Sequence, residues 1–502
     1  MKDYLDAKQF SEKLQILKNN KTYILSIIIL AILYILPIVL ANTHYVDDLN
    51  RTVAGYNWDH DGRFVSSKIM HLLSFQKEVV YSLYPFSNMI SAVILALSGF
   101  IISYSVGVRS KLMLFIGSFL LLTCPFLLEI LSYRFDCIPI SLSILSIAVP
   151  FLFYNNKKIF FAVSVLGVFL SLGLYQTSAL SYCIILCFLL AKDVWNNQFK
   201  TAIISLLTAA ASFVIGFFSY KVVLNWLDLN LLKDRRADFI FADDNLKMLL
   251  KERFYSMIDL VKLLMFSSYR FVFYILLFFS VLSIVIYFKN NFKTLFNKSL
   301  IIKVIITLVL IFCILIFMAG VNMFVYEPRW VPRAMIGWAV GIYGLYFAIS
   351  LNSNYKNVIA VISFTPFIYY SFLMSSQLAI YLKNQDEFSD YIINLLSPKL
   401  FEHGKPKVII NGVNKTAHRN ITINFSTMPL IYQLAPIYEN NGWGWGIIRL
   451  NKFDNISSVY IGDQERLDVL AKMKEFPVVD KNVYYTLRIK DDIAIVDFDR
   501  NE

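Results

Sequence analysis

Directly after its first long apolar segment the chain carries a dense run of reactive side chains. It reads Asp47-Asp48-Leu49-Asn50-Arg51, then Gly55-Tyr56-Asn57-Trp58, then Asp59-His60-Asp61-Gly62-Arg63. Carboxylates can take a proton, guanidinium groups are planar forks for phosphate, and an indole offers a flat apolar face. Such a set can take up a proton and bind an anion. Two adjacent carboxylates beside Arg51 allow one to stay ionised while the other orients a hydroxyl. Asp47 or Asp48 is therefore the candidate base, and the competing reading is an Asp pair capping a helix start. Asp59-His60-Asp61 has the donors for a divalent cation, but such a triplet in a polar loop is more often solvated.

In type and order these residues resemble the first external loop of the bacterial Gtr-type glucosyltransferases, enzymes of the GT-C superfamily that add a glucosyl branch to O-antigen and related surface glycans. The shared features are the Asp pair with an Arg three residues on, Gly-Tyr-x-Trp and Gly-Arg, all just after the first span. A later Tyr133-Arg134-Phe135-Asp136 beside a helix end is similar to a second piece of that family. The resemblance implies that an acid in this first loop is the base. Asp47 is the choice for that role, with Asp48 orienting the acceptor or Arg51. It also implies a donor on undecaprenyl phosphate, a lipid-linked glycan acceptor and no cofactor or metal, metal-independent transfer being the commoner case in the superfamily.

Composition sets the scaffold. At 57% hydrophobic and 16% charged over 502 residues, the chain is more apolar than a soluble domain, which runs about half apolar and about a quarter charged. The apolar residues fall into blocks of about 20, the length that crosses a hydrocarbon core. Eleven spans are expected, at 22–41, 88–107, 112–131, 138–154, 159–174, 178–191, 201–224, 270–288, 301–321, 335–351 and 357–375. The first is too long for a signal peptide core and is read as retained. The five cysteines all lie in or beside apolar segments, so they read as packing residues and imply no disulfide framework.

The tail 1–21 and alternate loops are rich in Lys, fifteen against one Arg, which places them in the cytoplasm by the positive-inside rule. An odd span count then puts the C-terminus in the periplasm. The opposite loops carry Arg51, Arg63, Arg134, Arg235, Arg236, Arg329 and Arg333. Singly, each could snorkel to lipid or pair with an acid, but as a set on the side of the Asp loop they favour a phosphate ligand. Arg51, Arg63, Arg329 and Arg333 are assigned to the donor phosphate. Trp58, Tyr133, Arg134, Asp136 and Glu327 are assigned to the sugar or acceptor. Pro328 and Pro332 stiffen the Glu327–Arg333 cluster.

Two regions lie outside the spans. The loop 225–269 ends in an amphipathic stretch, Asn245–Met265, with Leu246, Leu249, Leu250, Phe254, Met257, Ile258, Val261 and Leu264 on one face. It reads as an interfacial helix, or as one packed on the external part. From 376 to 502 the composition becomes mixed, with fifteen basic and sixteen acidic residues. Strands are expected at Lys407–Asn411, Val483–Ile489 and Ile493–Phe498, the last two joined by Asp491-Asp492. Helices are expected at Ser389–Leu400 and Gln464–Lys474. The architecture is thus an all-α polytopic membrane protein, 22–375, GT-C-like, with external loops 42–87 and 225–269 and a small C-terminal periplasmic α/β domain.

The activity that fits is an integral-membrane hexosyltransferase, with glucose the sugar that the resemblance implies. It acts with inversion at the periplasmic face of the bacterial inner membrane. A transporter or flippase of lipid-linked sugars is the rival, and a glycan polymerase or ligase shares the layout. Transporters usually place ionisable groups in mid-span, and these spans are almost free of them. No nucleic-acid partner is expected.

Overall fold

A computed structural model of the chain describes residues 21–229, 238–290, 300–351, 355–420, 422, 427–441, 444–453 and 463–499. The Lys-rich tail before Lys21, Arg235, Arg236, Gly442 and Trp443 lie outside them.

Helices α1 (Lys21–Ala41), α2 (Asp48–Ala54), α3 (Phe64–Ser74), α4 (Phe86–Val106), α5 (Lys111–Leu122), α6 (Leu128–Ser132) and α7 (Cys137–Ala148) build the first half. The second half has α8 (Lys157–Leu174), α9 (Ser181–Trp195), α10 (Phe199–Trp226), α11 (Leu246–Met265), α12 (Tyr269–Asn290), α13 (Leu300–Phe317), α14 (Ile336–Gly341), α15 (Tyr343–Ser350) and α16 (Lys356–Glu402). Among the described residues eight helices are long and apolar enough to cross a membrane, and α5 with α6 makes a ninth, bent by 51°. Two of the eleven expected spans, 138–154 and 335–351, fall on shorter apolar segments, Cys137–Phe153 and Ile336–Ser350, which are below that length. The polytopic, mostly helical fold class is as expected.

The bend corrects the reading of 112–131 as one straight span. Pro125 has no N–H to give and holds the preceding Cys124 extended, at φ −63 and ψ 123, so the helix stops and restarts as α6. Every residue from Ile116 to Ile140 is buried, which is where a membrane protein tolerates interrupted backbone. Beyond the break, Glu129 meets Arg333 and Tyr133 packs against Tyr45.

Helix α16 joins the two halves of the molecule. Its first part packs Phe364, Phe367 and Tyr370 into the bundle, and its last part puts Ile392, Ile393, Leu396 and Leu400 against a sheet. The expected boundary at 375/376 falls inside this one helix. The sheet has strands β1 (Lys407–Asn411), β2 (Val478–Lys481), β3 (Thr486–Lys490) and β4 (Ile493–Asp497) in the order β1-β4-β3-β2, with β1 parallel to β4 and the other pairs antiparallel. Asp491, at φ 53, makes the β3–β4 turn at the expected place. Short helices α17 (Pro429–Leu434), α18 (Trp445–Leu450) and α19 (Asp463–Ala471) complete the unit.

The amphipathic helix forms as α11, with its buried stripe on Arg253, Met257, Leu260 and Leu264 and with Phe254 exposed. The inward face is thus rotated from the one expected. The cause is Arg253, whose Nη2 donates to the Tyr326 carbonyl at 2.8 Å and draws that side of the helix onto the 320–335 loop.

Candidate active site

The chain between α1 and α3 folds back on itself through residues with left-handed backbone. Asn42 and Val46 have φ of 53 and 47. For a β-branched residue such as Val46 this is a strained geometry, costing about 1–3 kcal/mol and persisting only where neighbours hold it. Gly55 ends α2 at φ 62, and a Cβ there would lie 2.6 Å from Val79 Cγ1. Gly62 ends the 3-10 turn Asp59–Asp61 at φ 71, where a Cβ would lie 2.9 Å from the Tyr220 hydroxyl. Both glycines are therefore required by backbone conformation and by close packing. Gln176 and Tyr220 hold the second corner by donating to the carbonyls of Asp61 and Gly62.

Asp136 is the hub on which this loop closes. It stands immediately before α7 and is 4% exposed. Its Oδ2 accepts from Arg51 Nη1 at 2.5 Å, and its Oδ1 accepts from Trp58 Nε1 at 2.8 Å and Arg63 Nη1 at 2.9 Å. Burial pushes its pKa up, but the two guanidinium groups and the indole outweigh burial and hold it below the ordinary carboxylate range. Asp136 is therefore a fixed anion.

This network settles where several expected ligand groups lie. Arg51 is 3% exposed, gives Nε to the Tyr56 carbonyl, and stacks over the Trp58 ring at 4.2 Å. Trp58 is 1% exposed, with Arg51 over its face, so its ring offers no open platform to a sugar. Arg134 reaches back to the carbonyls of Thr43 and Asn42 at 3.1 and 2.8 Å and lies over Tyr84, strapping the start of the loop. Arg63 is the partly open member. Its Nη2 meets Asp61 Oδ2 at 3.0 Å, and its neighbouring acids raise its pKa against the effect of burial.

The two adjacent aspartates occupy different environments. Asp48 is fully buried, and its Oδ2 accepts from the amides of Arg134 at 2.8 Å and Tyr45 at 3.3 Å. Among the described residues its Oδ1 has no hydrogen-bond partner. Burial is the main cause that pushes its pKa up to about 7, with the two amide hydrogen bonds opposing. Asp47 is half-buried and occupies the N-cap position of α2, yet its side chain makes no cap hydrogen bond, which removes the capping explanation. No described residue ties its carboxylate by a hydrogen bond or ion pair. Burial and Asp136 raise its pKa, while Arg333, Arg51 and Arg63 pull it down. It is thus an untethered carboxylate within electrostatic reach of three cations.

Arg333 reaches this point from the 3-10 turn Pro332–Ala334. Glu129 of α6 grips it twice, Oε1 on Nη1 at 2.7 Å and Oε2 on the Arg333 amide at 2.7 Å. The Tyr133 hydroxyl also contacts Nη1. Tyr133 is itself buried edge-on against Tyr45. Glu129 was missed in the sequence, although a lone acid inside an apolar span was the signal that could have found it. Arg329 and Glu327, from the same short cluster, are exposed. Asn322 holds the Arg329 backbone at both its N–H and its carbonyl.

In the Asp59-His60-Asp61 triplet, Asp59 Oδ2 accepts from Asn57 and Asp61 Oδ2 from Arg63. Among the described residues no group of three His, Cys, Asp or Glu side chains is placed to hold a metal ion.

The C-terminal unit closes over the same loop. Tyr45 donates its hydroxyl to the Leu434 carbonyl at 2.6 Å, and the Val46 amide donates to the Tyr438 hydroxyl at 2.9 Å. No local signal in the sequence points to this contact, which joins residues 389 and 392 positions apart.

The family described as glucosyl transferase GtrII matches residues 36–343, a stretch that contains Asp47, Asp48, Arg63, Glu129, Asp136 and Arg333. The chain is 24% identical over 449 residues to an uncharacterized 55.3 kDa protein in the gtrB 5' region of Salmonella phage P22, covering 86% of this chain and 90% of that one. No solved structure matches it.

Proposed function

The chain belongs to the glucosyl transferase GtrII family, and we propose that it transfers a glucosyl group from undecaprenyl phosphate to O-antigen or a related lipid-linked glycan at the periplasmic face of the inner membrane. The observation that carries this reading is the untethered Asp47 carboxylate within electrostatic reach of Arg63 and Arg333. A base and an anion site stand next to each other on one loop cluster.

In the proposed reaction an acceptor hydroxyl oxygen attacks the anomeric carbon of the donor and its proton passes to Asp47. The bond from that carbon to the phosphate oxygen breaks, and its electron pair leaves with undecaprenyl phosphate. Attack opposite the leaving group inverts the configuration. Arg333 and Arg63 stabilise the charge that gathers on the phosphate as the bond opens, the role in which fixed cations contribute most. Asp136, Arg51 and Trp58 act by holding Arg63 in place, and Asp48 and Arg134 by holding the loop. Arg329 and Glu327 stand at the exposed rim, where they meet the parts of donor or acceptor further from the reacting bond. The gtrB-region location of the phage relative supports a role in surface-glycan modification of the serotype-conversion kind.

Radiolabelled transfer tests the proposal. Purified protein given undecaprenyl phosphate [14C]glucose and a lipid-linked glycan should label the glycan, with no divalent cation added. Label that stays on the lipid under conditions where the protein is folded would refute it. Alkaline phosphatase fused after Glu502 should be active, and an inactive fusion would overturn the periplasmic orientation.

A further inference from the structure

Tyr438 belongs to the C-terminal unit, yet its hydroxyl lies in the turn that delivers Asp47. That oxygen accepts from the Val46 amide at 2.9 Å and donates to the His44 carbonyl at 3.4 Å, so it bridges the two residues that flank Tyr45. Tyr45 makes a parallel tether to Leu434. Val46, between these tethers and Asp47, has φ 47. An unrestrained Val relaxes from that region to negative φ, and doing so would swing the residue that follows it. Tyr438 is anchored in turn. Its neighbour Glu439 is fully buried, accepts from Ser389 of α16 at 2.9 Å, and pairs with Arg449, which also meets Asp386 of α16 at 2.6 Å.

We propose that Tyr438 is a positioning residue for transfer: the C-terminal unit holds Val46 in its strained conformation and thereby aims the Asp47 carboxylate. The inference rests on Asp47 being the base. It assigns the C-terminal unit a part in catalysis. It also explains why a β-branched residue is tolerated at a corner where glycine would fit without strain.

The test is a double-mutant cycle on Tyr438→Phe and Val46→Gly, read as kcat and donor KM with purified, folded protein. Loss of the hydroxyl should lower kcat roughly tenfold while donor KM stays within about twofold, because the donor site is intact and only the base is misaimed. Glycine takes φ 47 without strain, so the tether matters less in its presence. The kcat of Tyr438→Phe/Val46→Gly divided by that of Val46→Gly should therefore be close to one. A Tyr438→Phe enzyme with wild-type kcat, or an equal kcat loss in both backgrounds, would overturn the proposal. Tyr45→Phe removes the second tether and should show the same split between kcat and KM, which serves if Tyr438→Phe cannot be recovered folded. An inactive Asp47→Asn beside a fully active Tyr438→Phe refutes only the positioning role, whereas an active Asp47→Asn refutes the reading beneath it.

Discussion

Glu129 holds Arg333 by two contacts of 2.7 Å, one to the guanidinium and one to the backbone amide, so the cation is fixed in direction as well as in place. A lysine at 333 could keep the charge but would lose the planar fork. Arg333→Lys should raise donor KM roughly tenfold, and Glu129→Gln should follow it, since each loosens the same anion site. Arg329 is exposed with its backbone alone held, and Arg329→Lys should have the smaller effect. Donor titrations of the three variants check this, and equal shifts at 329 and 333 would move the phosphate site to the rim.

Asp136 neutralises two guanidinium groups in a buried setting. Asp136→Asn leaves Arg51 and Arg63 facing each other with no anion between them, a loss of about 3–5 kcal/mol for a buried pair. The detergent-solubilised protein should melt at a clearly lower temperature. A melting temperature like that of wild type would mean that another acid fills the role.

Asp48 yields a pH-dependent prediction. Its folded pKa of about 7 lies above the ~3.9 of a free Asp, so the folded state binds the proton more tightly than the unfolded one. Its contribution to stability therefore falls as pH rises from about 4 to about 7, and the full penalty is present above that. Both amide donors converge on Oδ2, so an Asn carbonyl oxygen can accept them both. Asp48→Asn should match wild type in melting temperature at about pH 4 and exceed it increasingly up to about pH 7. A difference that does not change with pH would show that Asp48 does not titrate as described.

The parts of this architecture that follow local rules could be read in the sequence. The eleven apolar segments, the β3–β4 turn at Asp491-Asp492, and the density of Asp, Arg, Gly and Trp between Asp47 and Arg63 all depend on near neighbours. Partners distant in sequence decided the rest. Asp47 and Asp48 look equivalent until the Arg134 amide arrives and buries one of them. Trp58 looks like an exposed sugar platform until Asp136 takes its indole N–H. Pro125 was visible in the 112–131 span, but its consequence, the placing of Glu129 against Arg333, required the 332–334 turn to come into contact.

The acid limb of activity follows from the Asp47 environment. Burial and Asp136 raise its pKa, so the base should lose its proton later than an ordinary Asp, and turnover should climb with pH over a window shifted upward from the usual carboxylate range. A kcat profile already flat there, with chemistry limiting, would place the base elsewhere.

Turnover of Asp47→Asn beside Asp48→Asn, in membranes holding equal amounts of each protein, tests the central claim most directly. Asn keeps the size of Asp47 but cannot accept the acceptor's proton, so turnover should fall by about a hundredfold or more with donor binding little changed. Asp48→Asn should keep roughly a tenth or more of wild-type turnover, because its role is to hold the loop. Transfer by Asp47→Asn at a rate near wild type would contradict the account, and so would an inactive Asp48→Asn beside an active Asp47→Asn.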